Sequence, residues 1–181
     1  GTKVGKDLIL KVMNAMGNGA TKILVAHPRI ALSQNQQKRF AKTFAGTGVQ
    51  FANFHSGQAK THTLLYKKNL STTSRDELEE DIKNSSGFHI TFASYASLHK
   101  ISDMDFDLII CDEAQYLVQK DIRDNLYKFK SKTLFYTATP VTVAAREESM
   151  DNPELFGDVI AAVLPKELIP HGYIVKPRVR T

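Results

Sequence analysis

Short apolar runs, each closed by a turn or a polar cluster and followed by a longer amphipathic stretch, constrain the fold of this chain more than any other feature. "KILVAH", "VQFANF", "FHITFAS", "DLIICDE" and "KTLFYTA" have the length and composition of buried strands. Between the first two, "RIALSQNQQKRFAKTFAG" repeats apolar residues at helical spacing and stops at glycine, and "RDELEEDIKNS" reads as another helix. "YASLHKISDMDF" and "AQYLVQKDIRDNLYKFKS" are each long enough for a crossover connection. Apolar strands that alternate with helical segments predict a parallel sheet covered on both faces, an α/β fold in three layers.

The remaining segments are less regular. Leu8, Ile9, Val12, Met13 and Met16 recur at helical spacing after Gly5, and Gly17-Asn18-Gly19 ends the pattern, so a helix opens directly out of a glycine turn. Residues 58–74, "QAKTHTLLYKKNLSTTS", are polar and lysine-rich and read as a loop or insertion. The tail "ELFGDVIAAVLPKELIPHGYIVKPRVRT" is expected to add a short strand, a short helix and an extended segment.

Composition narrows the class. With 181 residues, 42% hydrophobic and 24% charged, the chain suits one globular domain with a sizeable core. No apolar run approaches the roughly 20 residues that span a bilayer, and the N-terminus shows no secretory pattern. The single cysteine, Cys111, excludes a disulfide framework and fits strand core in a reducing, cytoplasmic compartment. A net charge of +5, from 24 Lys and Arg against 19 Asp and Glu, suits a polyanionic partner without requiring one.

Three stretches carry chemistry. In "GTKVGKD", glycines, Lys6 and the N-terminus of the following helix supply the parts of a phosphate-binding loop: backbone N–H groups aimed at an anion and a mobile cation. On the spacing G-x-x-x-x-G-K-[ST] the chain begins inside that motif; a plain helix start is the alternative. In "LIICDEAQ", Asp112 and Glu113 end a buried strand, where acids are costly unless they face solvent, a metal or a reacting group. They stand at the carboxyl edge of the strands, where parallel sheets bind ligands, although two acids at this place also suit a helix cap. "FYTATP" brings the hydroxyls of Thr137 and Thr139 to the same edge, and Pro140 ends that strand.

Taken in order, "GTKVGKD", "AHPRIALSQNQ", "FASYASL", "DEAQ" and "TATP" each follow a predicted strand or open the chain, and the series resembles the first RecA-like domain of a superfamily 2, DEAD-like helicase or translocase. The closing "MDNPELFGDVIAAVLPKELIPHGYIVKPRV" resembles the exit from that domain in phage recombination helicases and the type III restriction-type branch. The resemblance implies a P-loop domain over residues 1–164 and an exit segment, 165–181, toward a second RecA-like domain. It implies ATP and Mg²⁺ as cofactors, and DNA or RNA, gripped through phosphates, as the partner. Gly1, Thr2, Val4, Gly5, Lys6 and Asp7 would line the nucleotide. Lys6 would contact the β- and γ-phosphates, Asp112 the magnesium and Glu113 the attacking water. Thr137 and Thr139 would couple hydrolysis to movement. His27, Pro28, Arg29, Ser94 and Tyr95 would lie along the nucleic-acid path.

Asp7 departs from the family pattern, which has a magnesium-binding hydroxyl there, and Lys3 stands where a small residue is usual. A carboxylate beside a triphosphate either repels it or serves as a replacement metal ligand. The implied function is an ATP-dependent motor on DNA. Its rivals are a degenerate helicase-like domain that binds nucleic acid without hydrolysis, and the motor part of a restriction endonuclease.

Overall fold

The computed structural model describes residues 7, 11, 21–56, 70–145, 148–162 and 165–171. Strands β1 (Thr21–His27), β2 (Gln50–Phe54), β3 (Leu70–Thr72), β4 (Phe88–Ser94), β5 (Leu108–Asp112) and β6 (Lys132–Tyr136) form one sheet in the order β3-β2-β4-β1-β5-β6. Every neighbouring pair is parallel, as the alternation of apolar runs and helical connections requires. The helices are α1 (Ile30–Thr43), α2 (Arg75–Lys83), α3 (Lys120–Leu126), α4 (Pro153–Phe156) and α5 (Pro165–Leu168), with 3-10 turns at Tyr95–Lys100 and Ala114–Val118.

The central strands are apolar on both faces, so each face builds its own core. Ile23, Val25, Ile90, Phe92 and Ile110 pack with Phe40 and Phe44 at the α1 side. Leu24, Ala26, Ile109 and Cys111 pack with Leu78 of α2, Leu98, Leu117 and Leu126 on the other. Consecutive residues of β1 thus feed alternate cores, the period-2 consequence of a pleated strand. Cys111 is fully buried, and burial pushes its thiol well above the usual range, which leaves it a core residue.

One expectation is corrected, and one is met only in part within the described residues. Residues 70–72, assigned to the insertion, pair with β2 as the edge strand β3; three residues at the end of a lysine-rich stretch show no alternation to read. The described part of the tail holds two four-residue helices and no strand. Val159 and Ile160 are 81% and 83% exposed, and the rest of the tail, 163–164 and 172–181, lies outside the described residues.

The two longer helices begin differently. Ser74 caps α2 by accepting from the Glu77 N–H at 3.4 Å, and Asp76 and Glu77 stand in its first turn, where the helix dipole favours them. α1 starts at an Arg29 N-cap with no side-chain cap bond and no acid in its first turn. That uncapped start lies beside the carboxyl ends of β1 and β4, where His27 is in register with Ser94.

Candidate active site

Parallel pairing gathers the strand exits at one edge. Ala26 of β1 is opposite Cys111 of β5, so the next residues, His27 and Asp112, are level, and Asp112 is in turn opposite Tyr136 of β6. The acids Asp112 and Glu113 and the threonines Thr137 and Thr139 predicted for the site thereby meet at one edge, although they leave different strands, β5 and β6.

Asp112 is held from two directions. Its Oδ2 accepts from the side-chain amide of Gln36 on α1. Its backbone carbonyl accepts from the Tyr95 hydroxyl at 2.7 Å. The side chain is 16% exposed, and burial, followed by the neighbouring Glu113 charge, raises its proton affinity above the ordinary carboxylate value. Both causes act against a bare negative charge, and a bound cation would relieve both.

Directly after Asp112 the backbone turns sharply. Glu113 has φ 55 and ψ 48, the sole left-handed non-glycine residue among those described. A bulky residue in that region costs of order 1–3 kcal/mol and clusters at functional sites. From Glu113 a chain of hydrogen bonds leads across the edge. Gln115 Nε2 donates to Glu113 Oε2 at 2.8 Å, and Gln115 Oε1 accepts from the Thr137 hydroxyl at 2.6 Å. Thr137 Oγ1 also accepts from the Thr139 N–H at 3.0 Å. The exits of β5 and β6 are therefore mechanically joined through Gln115.

His27 is fully buried, stacked on Phe92 with ring centroids 6.3 Å apart, and neither ring nitrogen has a hydrogen-bond partner among the described residues. Its Nδ1 stands 3.7 Å from Asp112 Oδ2. Burial pushes its pKa down to about 4, so the imidazole is neutral and this approach is not an ion pair.

Of the residues expected along a nucleic-acid path, Arg29 is exposed and Pro28 half-buried, whereas His27, Ser94 and Tyr95 are buried. The Ser94 hydroxyl is engaged with Ser97 at 2.7 Å, and burial raises the Tyr95 phenol far above its usual range while it holds the Asp112 carbonyl. Asp7 is helical and exposed. Gly1, Thr2, Val4, Gly5 and Lys6, expected to form the phosphate loop, lie outside the described residues.

Gln36 and Gln115 had no role assigned from the sequence. The helical period puts Gln36, with Ser33, on the buried stripe of α1 beside Phe40 and Ala41, but names no partner for it. For the metal, the described residues hold no group of three or more His, Cys, Asp or Glu side chains able to cage an ion. One oriented carboxylate suits Mg²⁺, which keeps most of its waters and takes one or two carboxylates together with substrate phosphates. Among the described residues no helix is long and apolar enough to cross a membrane.

Comparison with known proteins places this edge in context. A search of curated proteins returns no match. Among solved structures, a nuclease-deletion mutant of the Type ISP restriction-modification enzyme LlaGI, in complex with a DNA substrate mimic, superposes with a TM-score of 0.72 at 20% identity, over 93% of this chain and 18% of that one. The ATP-dependent Type ISP restriction-modification enzyme LlaBIII, bound to DNA, gives 0.65 at 18% identity, over 92% of this chain and 13% of its own. These likenesses establish the RecA-like fold, and the chain spans less than a fifth of either enzyme. The DEAD/DEAH box helicase model matches residues 4–146, a stretch that runs from the glycine turn through the acids of β5 to the threonines after β6, and the chain therefore belongs to the DEAD/DEAH box helicase family.

Proposed function

We propose that the chain is the first motor domain of an ATP-dependent DNA helicase or translocase. The observation that carries this reading is the junction at the carboxyl edge: Asp112 and Glu113 leave β5 together, and Gln115 ties Glu113 to Thr137 at the exit of β6. ATP would sit over this edge, with Gly1, Thr2, Val4, Gly5 and Lys6 around its phosphates. Asp112, steadied by Gln36, would hold Mg²⁺, with Asp7 as a further ligand. When bound, the ion would neutralise charge on the transferring phosphoryl group. Glu113 would orient the attacking water and accept its proton. Thr137, whose hydroxyl donates to Gln115 and accepts from the Thr139 N–H, would with Thr139 pass a change at Glu113 into the loop after β6.

DNA is the favoured partner, since both structural relatives are restriction enzymes described with DNA or a DNA mimic. Arg29 at the uncapped start of α1 offers a phosphate contact without base readout. A second RecA-like domain would close over the nucleotide and complete the site. The two relatives also favour the narrower reading that this is the motor part of a restriction endonuclease.

DNA-dependent ATP hydrolysis by the intact gene product tests the proposal. Wild type should turn over ATP faster with DNA, and Glu113→Gln should still bind Mg-ATP while losing about 100-fold or more of the rate, the scale of a removed general base. Nucleic-acid binding with no hydrolysis in wild type would favour the degenerate domain, in which the Asp7 carboxylate repels the phosphates instead of holding the ion.

A further inference from the structure

α1 carries an irregularity that the ATP-site reading does not by itself require. Its buried stripe is Ser33, Gln36, Phe40 and Ala41. At the first two positions, nearest the carboxyl edge from which the helix departs, polar side chains stand where the helical period asks for apolar ones. Gln36 is only 6% exposed, and a buried amide is unfavourable unless its N–H groups are bonded. The next residue, Gln37, uses only its oxygen, Oε1, which accepts from Asn53 of β2 at 2.5 Å, while its Nε2 has no hydrogen-bond partner among the described residues. Gln36 instead reaches across 76 residues of sequence to the carboxylate of Asp112.

The chemistry of that choice is informative. A lysine or arginine at this place would also bond the carboxylate, but its charge would compete with a divalent cation for the same acid. An amide orients the carboxylate and leaves its negative charge available. It engages one oxygen, Oδ2, with a neutral donor, and the Glu113 backbone is a second neutral hydrogen-bond donor to the same carboxylate. Because α1 starts at the exposed Arg29, the same bond also ties Asp112 to the end of α1 that faces outward, through about two turns of helix, roughly 10 Å.

We propose that Gln36 is a positioning residue for the divalent cation site: its amide fixes the Asp112 carboxylate in the orientation that binds the metal of the nucleotide, and couples that orientation to α1. This rests on the ATP-site reading above.

The test is calorimetric titration of ATP, once with magnesium and once with EDTA, into the intact gene product as wild type, Gln36→Met, Gln36→Glu and Asp112→Asn. Gln36→Met keeps volume and removes the donor. Gln36→Glu is isosteric, so it carries the comparison even where the methionine variant fails to fold. Both should weaken ATP binding in magnesium by about 10–100-fold, as the loss of outer-shell partners of a metal site typically does, with Gln36→Glu the more severe. Affinity in EDTA should stay at the wild-type value, and the magnesium concentration for half-maximal hydrolysis should rise by a similar factor. A Gln36→Glu or Gln36→Met variant that melts earlier but keeps wild-type magnesium dependence would reduce Gln36 to packing and overturn the proposal, provided Asp112→Asn loses that dependence. If Asp112→Asn keeps it too, the metal-site reading itself falls, and the role of Gln36 with it.

Discussion

Two histidines on adjacent strands, His27 at the end of β1 and His89 near the start of β4, are both fully buried and both lie beside an aspartate. His89 is closed: its Nε2 meets Asp81 Oδ2 of α2 at 2.8 Å, and its Nδ1 meets the Thr91 hydroxyl at 3.3 Å. His27 is open: 3.7 Å separates its Nδ1 from Asp112, whose Oδ2 is taken by Gln36. The closed pair locks a helix to the sheet. At the open one, a half-shielded carboxylate is oriented by an amide next to a left-handed glutamate, and its polar groups are not exhausted by one another. On the proposed function, the difference separates a region built for stability from one built for a ligand, within a single sheet.

The comparison breaks or holds by what each region loses on mutation. At the open end, Glu113→Gln should show the largest effect, a fall in ATP hydrolysis of about 100-fold or more with the melting temperature nearly unchanged. At the closed end, Asp81→Ala should do the reverse: it leaves the buried His89 short of its partner and should cost about 1–3 kcal/mol of stability, read by urea denaturation, with kcat for ATP preserved. Equal losses of activity from both variants would erase the distinction.

A smaller effect sharpens it. Burial lowers the His89 pKa from the ordinary 6.5 and outweighs the opposing pull of Asp81. Below about pH 6.5 the unfolded chain therefore takes up a proton at this histidine that the folded chain does not, and stability falls as pH drops toward the folded value. His89→Gln should flatten this part of the stability–pH curve relative to wild type. An unchanged slope would show that the His89 pKa is the same in the folded and unfolded chain, and a steeper fall that His89 is charged when folded.

Much of this architecture was legible in the chain because the strands are apolar on both faces, which marks them as central and parallel. Asp112 and Glu113 were legible for the complementary reason: charge at the end of a buried strand calls for an explanation. Gln36 and Gln115 were not, since periodicity assigns a residue to a face and leaves its partner 76 or 22 positions away unspecified. The inward-facing hydroxyl of Tyr95 was obscured in the same way, because a tyrosine after a strand suits a surface path and a buried anchor equally. Edge strand β3 escaped notice because its three residues are recognised only through their pairing with β2.

The central claim is that the carboxyl edge around Asp112 receives the nucleotide. Hydrogen–deuterium exchange on the intact gene product, with and without Mg-ATP, tests it most directly. Slowed exchange should appear at residues 112–115 and 137–139 and at the start of α1, while residues 81–91, around the closed His89 pair, stay unchanged. Protection confined to 81–91, or none at 112–115 under saturating Mg-ATP, would contradict the account.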